Sequence, residues 1–140
     1  MPRHIAKLLV DYRVNGQWSL SSTLIANGAS HARGNENNLH QPDGKFYVGS
    51  GRAAGFATVN LAARYEPGKC VQVTFRVNNL FDTHYVTGSQ LGATGFDRNG
   101  NFQARPFGDN GAEGYALQSS TFYAPGAPRQ FWIGLRYSMQ

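Results

Sequence analysis

The sequence predicts an all-β protein whose antiparallel strands run up and down as part of a transmembrane β-barrel. Three observations lead to this fold class. Five segments alternate apolar and polar residues with a period of two, which is typical of strands with one apolar face. The connections between these segments are short, long, short and long in turn. Aromatic residues lie at the predicted strand ends, as they do at the two interfaces of a bilayer.

The alternating pattern places the five strands approximately at residues 5–14, 17–26, 56–66, 70–80 and 130–139. Each strand has one apolar row, and the opposite rows carry the charged residues Lys7, Asp11, Arg13, Arg64, Arg76 and Arg136. An Arg or Lys at the middle of a lipid-facing row would cost roughly 2–4 kcal/mol, and none occurs on the five apolar rows. The apolar rows are therefore expected to face lipid and the charged rows a hydrated lumen.

The connections support a barrel in the outer membrane. Asn15-Gly16 joins the first two strands and is a tight hairpin signal, and residues 66–69 form a turn between the third and fourth strands. The other connections, approximately 27–55 and 82–129, are long and polar. Loops beyond about 12–15 residues are uncommon in compact soluble domains. Outer-membrane barrels combine short periplasmic turns with long external loops, so we expect the two long segments to be external.

The aromatic residues fall into two groups when the tight turns face the periplasm. The expected periplasmic group is Tyr12, Trp18, Tyr65 and Tyr137, and the expected external group is Phe56, Phe81, Tyr85 and Phe131. Aliphatic residues lie between the groups. The pattern predicts the two aromatic girdles of a membrane barrel.

Composition and motifs exclude several other classes of protein. The chain has 140 residues and a net charge of +5, but its Lys and Arg residues are scattered rather than clustered as in a nucleic-acid binder. The four His residues lack metal-ligand spacing, no nucleophile elbow such as G-x-S-x-G occurs, and one cysteine cannot form an internal disulfide. We expect neither an enzyme nor a cofactor, and we interpret Asp82 as a strand-end residue that bonds backbone amides.

The first residues do not have the pattern of a secretory signal. Residues 1–7 show no apolar stretch followed by a small-residue cleavage site. From this start, the expectation is a chain without a signal peptide.

The segment Val77-Asn78-Asn79-Leu80-Phe81-Asp82-Thr83-His84-Tyr85 closely resembles the N-L-F-D-x-x-Y signature near the C-terminus of TonB-dependent receptors. The segment that begins Pro128-Arg129-Gln130 resembles the family's closing strand. Residues 2–4, 33–37 and 55–65 resemble further family motifs in the right order, so the likeness covers almost the whole chain. The motif residues are Asn79, Leu80, Phe81, Asp82 and Tyr85. Gly134, Tyr137 and Met139 are similar to the barrel-assembly signal, although the chain ends at Gln140 rather than at an aromatic residue.

The resemblance implies an outer-membrane receptor for a ferric siderophore or a similar scarce solute. In that family a plug domain sits inside a barrel of about 22 strands, and TonB supplies energy through an N-terminal segment. This chain would supply about five strands without the plug. Its implied partners are outer-membrane lipid, the rest of the barrel and plug, TonB and the ligand, with no nucleic acid. Candidate ligand residues in the two external loops, chosen because Arg and Tyr suit anionic aromatic chelates, are Arg33, Asn35, Glu36, His40, Tyr47, Arg98, Arg105, Tyr115 and Tyr123.

Two alternatives remain at this point. The chain could be a small stand-alone β-sheet module that binds through long aromatic and Asn-rich loops, although its apolar rows would then need a second sheet. It could also form a small pore as an oligomer, which would need a signal peptide. Since five strands cannot close a barrel and open edges are not tolerated in lipid, we expect the isolated chain to aggregate or be degraded. Recovery of a heat-modifiable monomer from outer membranes would contradict this expectation.

Overall fold

The computed structural model describes residues 2–44, 47–97, 99–102 and 117–139. Its strands in chain order are β1 (Ile5–Arg13), β2 (Trp18–Asn27), β3 (Ser30–His31), β4 (Arg52–Ala53), β5 (Phe56–Gly68), β6 (Val71–Asn78), β7 (Val86–Ala93), β8 (Ser119–Pro125) and β9 (Gln130–Tyr137). Within the described ranges, no helix is both long and apolar enough to cross a membrane. The prediction of an all-β, antiparallel architecture is confirmed.

The chain divides into two compact units. We call the first the sheet unit, which comprises Pro2–Gly28, Gly55–Tyr85 and the segment that begins at Gly126. The second, which we call the ribbon unit, comprises Ala29–Ala54 and Val86–Pro125. The sheet unit contains one five-stranded sheet in the order β1-β2-β5-β6-β9, and every neighbouring pair is antiparallel.

The strand register brings the apolar rows of all five strands onto one face. Leu24 on β2 lies opposite Leu8 on β1 and Val59 on β5. Val73 on β6 lies opposite Tyr65 on β5 and Leu135 on β9. A slip of one residue would move a whole row to the other face. The observed register keeps apolar rows opposite apolar rows, as the alternation in the sequence predicts.

The apolar face of the sheet unit remains exposed. Ile133 is 76% exposed and Leu135 is 73% exposed, and every residue of the edge strands β1 and β9 is exposed. Among the described residues the only buried hydrophobic side chains are those of Ala32 and Ala53, which belong to the ribbon unit. A continuous apolar surface of this extent is typical of a face that contacts lipid or another chain.

The turn between β1 and β2 is stabilised by its own asparagine. The Oδ1 atom of Asn15 accepts hydrogen bonds from the backbone N–H groups of Gln17 and Trp18, both at 2.9 Å. The N–H of Val14 also donates to the carbonyl of Trp18 at 3.0 Å. Asn is favoured at such turns because its side chain can replace a backbone acceptor.

The connection between β5 and β6 is shorter than the predicted turn at residues 66–69. β5 continues to Gly68, and the register shifts between Tyr65 and Gly68. Pro67 lies inside this irregularity, where a residue that has no N–H to donate is tolerated. The turn itself falls at Lys69 and Cys70.

Two of the four aromatic residues at the tight-turn end pack against each other. In the expected external group, one residue, Phe56, lies on the polar face of the sheet. Trp18 and Tyr65 are cross-strand partners whose ring centroids are 4.5 Å apart. Phe56 pairs in register with Asn27, which belongs to the polar rows. Its ring lies 4.3 Å from that of Tyr85, so Phe56 does not join a lipid-facing girdle.

The ribbon unit contains strands inside both segments that the sequence analysis treated as loops. β3 pairs with β4 and β7 pairs with β8, each antiparallel. The alternation test misses β7 and β8 because their sequences, VTGSQLGA and SSTFYAP, lack a consistent apolar row. Backbone hydrogen bonding defines these ribbons, and side-chain pattern does not.

Candidate functional site

The polar face of the sheet unit forms an open hollow of about 630 Å³. Its walls come from four neighbouring strands, and most of its lining belongs to the polar rows. The lining residues are Asp11, Tyr12, Arg13, Ser19, Leu20, Ser21, Ala62, Ala63, Arg64, Gln72, Thr74 and Arg76. A hollow that spans four strands on the charged side indicates that the sheet curves around its polar face, as the wall of a barrel does around a lumen.

Three arginines lie on this face of the sheet beside the hollow. Arg13 and Arg64 both lie opposite Ser19 on β2, and Arg76 lies opposite Ala62 on β5. Among the described residues, none of these guanidinium groups lies within ion-pairing distance of a carboxylate. With three arginines and the one carboxylate of Asp11, the lining of the hollow carries a net positive charge.

The family motif forms a hydrogen-bonded junction at the end of β6. Asn79 is 3% exposed and has a positive φ of 51°, a conformation that Asn tolerates better than most residues. Its Nδ2 atom donates to the carbonyl oxygens of Thr83 (3.0 Å) and Ala127 (3.1 Å). Its Oδ1 atom accepts from the N–H of Thr83 at 2.9 Å. The backbone N–H of Asn79 donates to Asn60 Oδ1 at 2.8 Å.

Asp82 continues this junction to the segment before β9. It also has a positive φ, 52°, and its Oδ1 atom accepts a hydrogen bond from the backbone N–H of Arg129 at 2.9 Å. The Arg129 guanidinium lies 5.9 Å from the centre of the Phe131 ring. The interpretation of Asp82 as a residue that bonds a backbone amide is confirmed by this contact, which spans 47 residues of sequence.

The last motif residue, Tyr85, packs where the chain returns to the sheet. The N–H of Gly126 donates to the carbonyl of Tyr85 at 2.8 Å, and a Cβ atom at Gly126 would overlap the Tyr85 ring. Leu80 donates its N–H to the carbonyl of Val59 at 2.8 Å, while Phe81 is exposed. The motif thus joins β5, β6 and the start of β9, and its polar groups are engaged with the chain itself.

In the ribbon unit, Asn35 has a structural position rather than a surface position. It is 2% exposed. Its Nδ2 atom donates to the carbonyl of Gly51 at 3.0 Å, and its Oδ1 atom accepts from the N–H of His40 at 3.1 Å. Both ends of the amide are occupied, so in this conformation Asn35 holds its loop together and does not present a group to a ligand.

Three neighbouring candidates lie around this buried amide. The Gly34 N–H donates to both carboxylate oxygens of Glu36 at 3.0 and 3.1 Å, and this lowers the pKa of Glu36 below its ordinary value of 4.5. The ring of His40 is hydrogen-bonded to the Gly49 carbonyl at 3.1 Å and meets the Tyr47 ring edge-on at 6.0 Å. Glu36 and Tyr47 are exposed and His40 is partly buried.

Gly51 and Thr121 close this loop, and neither is among the candidate residues predicted from the sequence. Gly51 has a φ of +63°, and a Cβ there would lie 2.8 Å from both Asn35 Nδ2 and His40 Cδ2. Its N–H donates to Thr121 Oγ1 at 2.9 Å. Thr121 lies on β8, 70 residues away. The run Gly49-Ser50-Gly51 was the signal that could have indicated a close backbone approach.

The remaining candidate ligand residues are dispersed. Arg33 is exposed, and its backbone bonds both Ser89 and Leu91 of β7. Tyr123 is 47% exposed on β8, opposite Ser89. The other three candidates, Arg98, Arg105 and Tyr115, lie outside the described residues.

The residues that resemble an assembly signal lie on or after β9. Gly134 belongs to the polar rows, opposite Thr74. Tyr137 and Met139 are strongly exposed, and Tyr137 lies opposite Val71 on the apolar side. No group of three His, Cys, Asp or Glu side chains within the described ranges could hold a metal ion.

A curved antiparallel sheet with one exposed apolar face and one charged, hollow face defines the class of protein as a wall segment of a membrane β-barrel. Comparison with known families then identifies the family of barrels to which this segment belongs. The model of the TonB dependent receptor-like, beta-barrel family matches residues 1–80. This match covers more than half of the chain, and the chain belongs to that family. A search of curated protein sequences finds no significant match.

Solved structures of TonB-dependent receptors share the fold. The ferric-catecholate import receptor Fiu of E. coli K12, in its closed form, superimposes with a TM-score of 0.61 at 20% identity. The unliganded ferric citrate transporter FecA superimposes with 0.58 at 19% identity, and the copper transporter OprC with 0.53 at 22%. The matches cover 96–97% of this chain but only 14–17% of each receptor. The chain therefore spans about a seventh of the length of these receptors.

Proposed function

We propose that this chain forms part of the wall and external loops of an outer-membrane receptor that actively takes up a scarce, bulky metal chelate such as a ferric siderophore. TonB would supply the energy by acting on the plug and N-terminal segment that characterise the family. The observation that carries the proposal is the sheet itself, whose apolar face is exposed or half-buried throughout and lies behind a charged hollow. Lipid can cover such an apolar face without leaving any polar group of that face buried and unsatisfied.

The ribbon unit supports a role in ligand capture. Its two segments are the long polar connections that the chain inserts between β2 and β5 and between β6 and β9. Arg33, Tyr47 and Tyr123 are exposed within this unit and suit an anionic chelate that carries aromatic groups. The similar solved structures are receptors or transporters of ferric catecholate, ferric citrate and copper. The ligand of this receptor therefore has to be identified by experiment.

The experiment compares cells that carry the complete receptor gene with cells in which that gene is deleted. Uptake of radioactive iron is measured as a ferric 2,3-dihydroxybenzoate complex and as ferric citrate, and uptake of radioactive copper is measured in parallel. The expected result is deletion-sensitive uptake of a ferric complex that stops when a protonophore collapses the proton gradient. Uptake that the deletion or the protonophore leaves unchanged contradicts the proposal.

A small stand-alone binding module is the less favoured function. Such a module would have to cover the row that contains Ile133 and Leu135, and both are more than 70% exposed. Purification of the chain as a soluble monomer without detergent would favour that function over the receptor.

A further inference from the structure

Asparagine followed directly by glycine occurs four times in this chain, and three of these pairs lie within the described residues. The three are Asn15-Gly16, Asn27-Gly28 and Asn99-Gly100, whereas Asn110-Gly111 lies outside the described ranges. Asparagine is a thermolabile residue, because the backbone nitrogen of the next residue can attack its side-chain amide carbon. A glycine in the next position leaves that approach open, since it has no Cβ.

The structure distinguishes the three pairs by what the glycine N–H does. The N–H of Gly28 donates to the carbonyl of His4 at 2.8 Å, and the N–H of Gly100 donates to the carbonyl of Asp97 at 3.0 Å. The N–H of Gly16 donates to no group of the described residues, and a Cβ placed on Gly16 would meet nothing within 4 Å. Among these three glycines, only the Gly16 nitrogen can attack without first breaking a backbone hydrogen bond.

The side-chain amide of Asn15 is held so that its carbonyl is polarised. Its Oδ1 atom accepts hydrogen bonds from the backbone N–H groups of Gln17 and Trp18, both at 2.9 Å. Attack on Cγ places negative charge on this oxygen, and two N–H donors at this distance stabilise such charge as the donors of an oxyanion hole do. Asn15 and Gly16 are both exposed, so water can reach the turn.

We propose that the Asn15-Gly16 turn is a self-modification site, at which Asn15 loses its side-chain amide. The Gly16 nitrogen forms a bond to Cγ of Asn15, the bond between Cγ and Nδ2 breaks, and ammonia leaves with the proton that the Gly16 nitrogen gives up. Water then opens the cyclic imide at one of its two carbonyl carbons. Opening at Cγ leaves an aspartate, and opening at the backbone carbonyl carbon leaves an isoaspartate. One water is consumed and one ammonia is released.

The two products have different effects on the β1–β2 hairpin. An aspartate keeps an acceptor for Gln17 and Trp18, and its negative charge strengthens both hydrogen bonds. An isoaspartate adds one carbon to the main chain inside a turn that the bond from the Val14 N–H to the Trp18 carbonyl closes at 3.0 Å, so it loosens that end of the hairpin. The share of modified hairpins therefore rises with the age of the folded chain. This inference goes beyond the proposed receptor function and does not depend on the ligand.

The test is peptide mapping by mass spectrometry on the complete receptor, incubated in detergent at mildly alkaline pH. Asn27 and Asn99 are internal controls, because each precedes a glycine whose N–H is hydrogen-bonded. Asn15 should be converted at least about fivefold faster than either control, a factor equivalent to one backbone hydrogen bond of about 1 kcal/mol. In receptor unfolded in urea the three rates should become equal, since only the fold distinguishes the three glycines.

Gly16→Ala is the variant that blocks the reaction. The turn has room for the new methyl group and Gly16 does not have a left-handed φ, so the hairpin should keep its wild-type hydrogen exchange. Conversion of Asn15 should slow, while Asn27 and Asn99 should be unaffected. A folded receptor in which Asn15 is converted no faster than Asn27 or Asn99 overturns the inference. A difference that persists in urea, or an unchanged Asn15 rate in Gly16→Ala, overturns it as well, and none of these results bears on the uptake experiment.

Discussion

Replacement of Asn79 by Ala should open the junction that joins β6 to the start of β9. The change removes three side-chain hydrogen bonds, two to Thr83 and one to Ala127. At about 1 kcal/mol each, they contribute about 3 kcal/mol. Alanine is also less tolerant than asparagine of the φ of 51° at this position, which adds about 1 kcal/mol. The expected local destabilisation is about 4 kcal/mol.

The assay is hydrogen–deuterium exchange on the complete receptor in detergent. The exchange protection of the amides of Thr83 and Arg129 should fall roughly 1,000-fold, because about 1.4 kcal/mol corresponds to a factor of ten. Asn79→Gly is the matched control. It removes the same hydrogen bonds but accepts a positive φ, so its expected loss is about 3 kcal/mol, or roughly 100-fold.

Two outcomes would contradict the expected role of Asn79. One is a loss of protection below about tenfold in Asn79→Ala, since the local destabilisation would then be less than about 1.4 kcal/mol instead of about 4 kcal/mol. The other is an equal loss in the β1–β2 hairpin, which makes no contact with the Asn79 side chain and should exchange as in the wild type. An equal loss of protection in Asn79→Ala and Asn79→Gly would show that the positive φ at this position adds no cost for alanine.

Three further predictions follow from the same structure. Gly126→Ala should destabilise the junction by about 1–3 kcal/mol because the new methyl overlaps the Tyr85 ring, and Tyr85→Leu should relieve the defect in the same exchange assay. Leu24→Arg on the apolar face should cost roughly 2–4 kcal/mol and reduce heat-modifiable receptor in outer membranes, whereas Thr23→Arg on the polar face should not. The pKa of Glu36 is lower in the folded chain than its ordinary value. Its contribution to stability is therefore fully present at a pH above the ordinary pKa, and it is lost as the pH falls through the pKa of the folded chain. Protection of the Gly34 amide should therefore decline in that acidic window, and Glu36→Gln should abolish the pH dependence.

The sheet could be predicted closely from sequence because period-two alternation is a local property. Each strand carries its own apolar row, and a membrane wall requires all rows on one face. The register that aligns Leu8, Leu24 and Val59 follows from that requirement together with the tight turn at Asn15. The bulge at Pro67 and the polar-face position of Phe56 did not follow, since both depend on where the strand pairing is interrupted or begins.

The candidate site was much less predictable. Residue type placed Asn35 among the ligand candidates, but its burial depends on Gly51 and Thr121, which approach from distant parts of the sequence. The strands β7 and β8 escaped detection because their backbones pair while their side chains show no periodicity. The position of Trp132 opposite Arg76 follows only from the pairing of β6 with β9.

The fold class, the two faces of the sheet and the resemblance to TonB-dependent receptors could be read from the sequence alone, because these depend on alternation and on contiguous motifs. The contacts that the motif makes became visible only in the folded chain. Asn79 and Asp82 reach carbonyl and amide groups of Ala127 and Arg129, 48 and 47 residues further along the chain. Such contacts depend on the positive φ values and on the return path of the chain. The order of residues in the sequence shows neither the φ values nor the return path, because hydrogen-bond partners are set by distance in space rather than by separation in sequence.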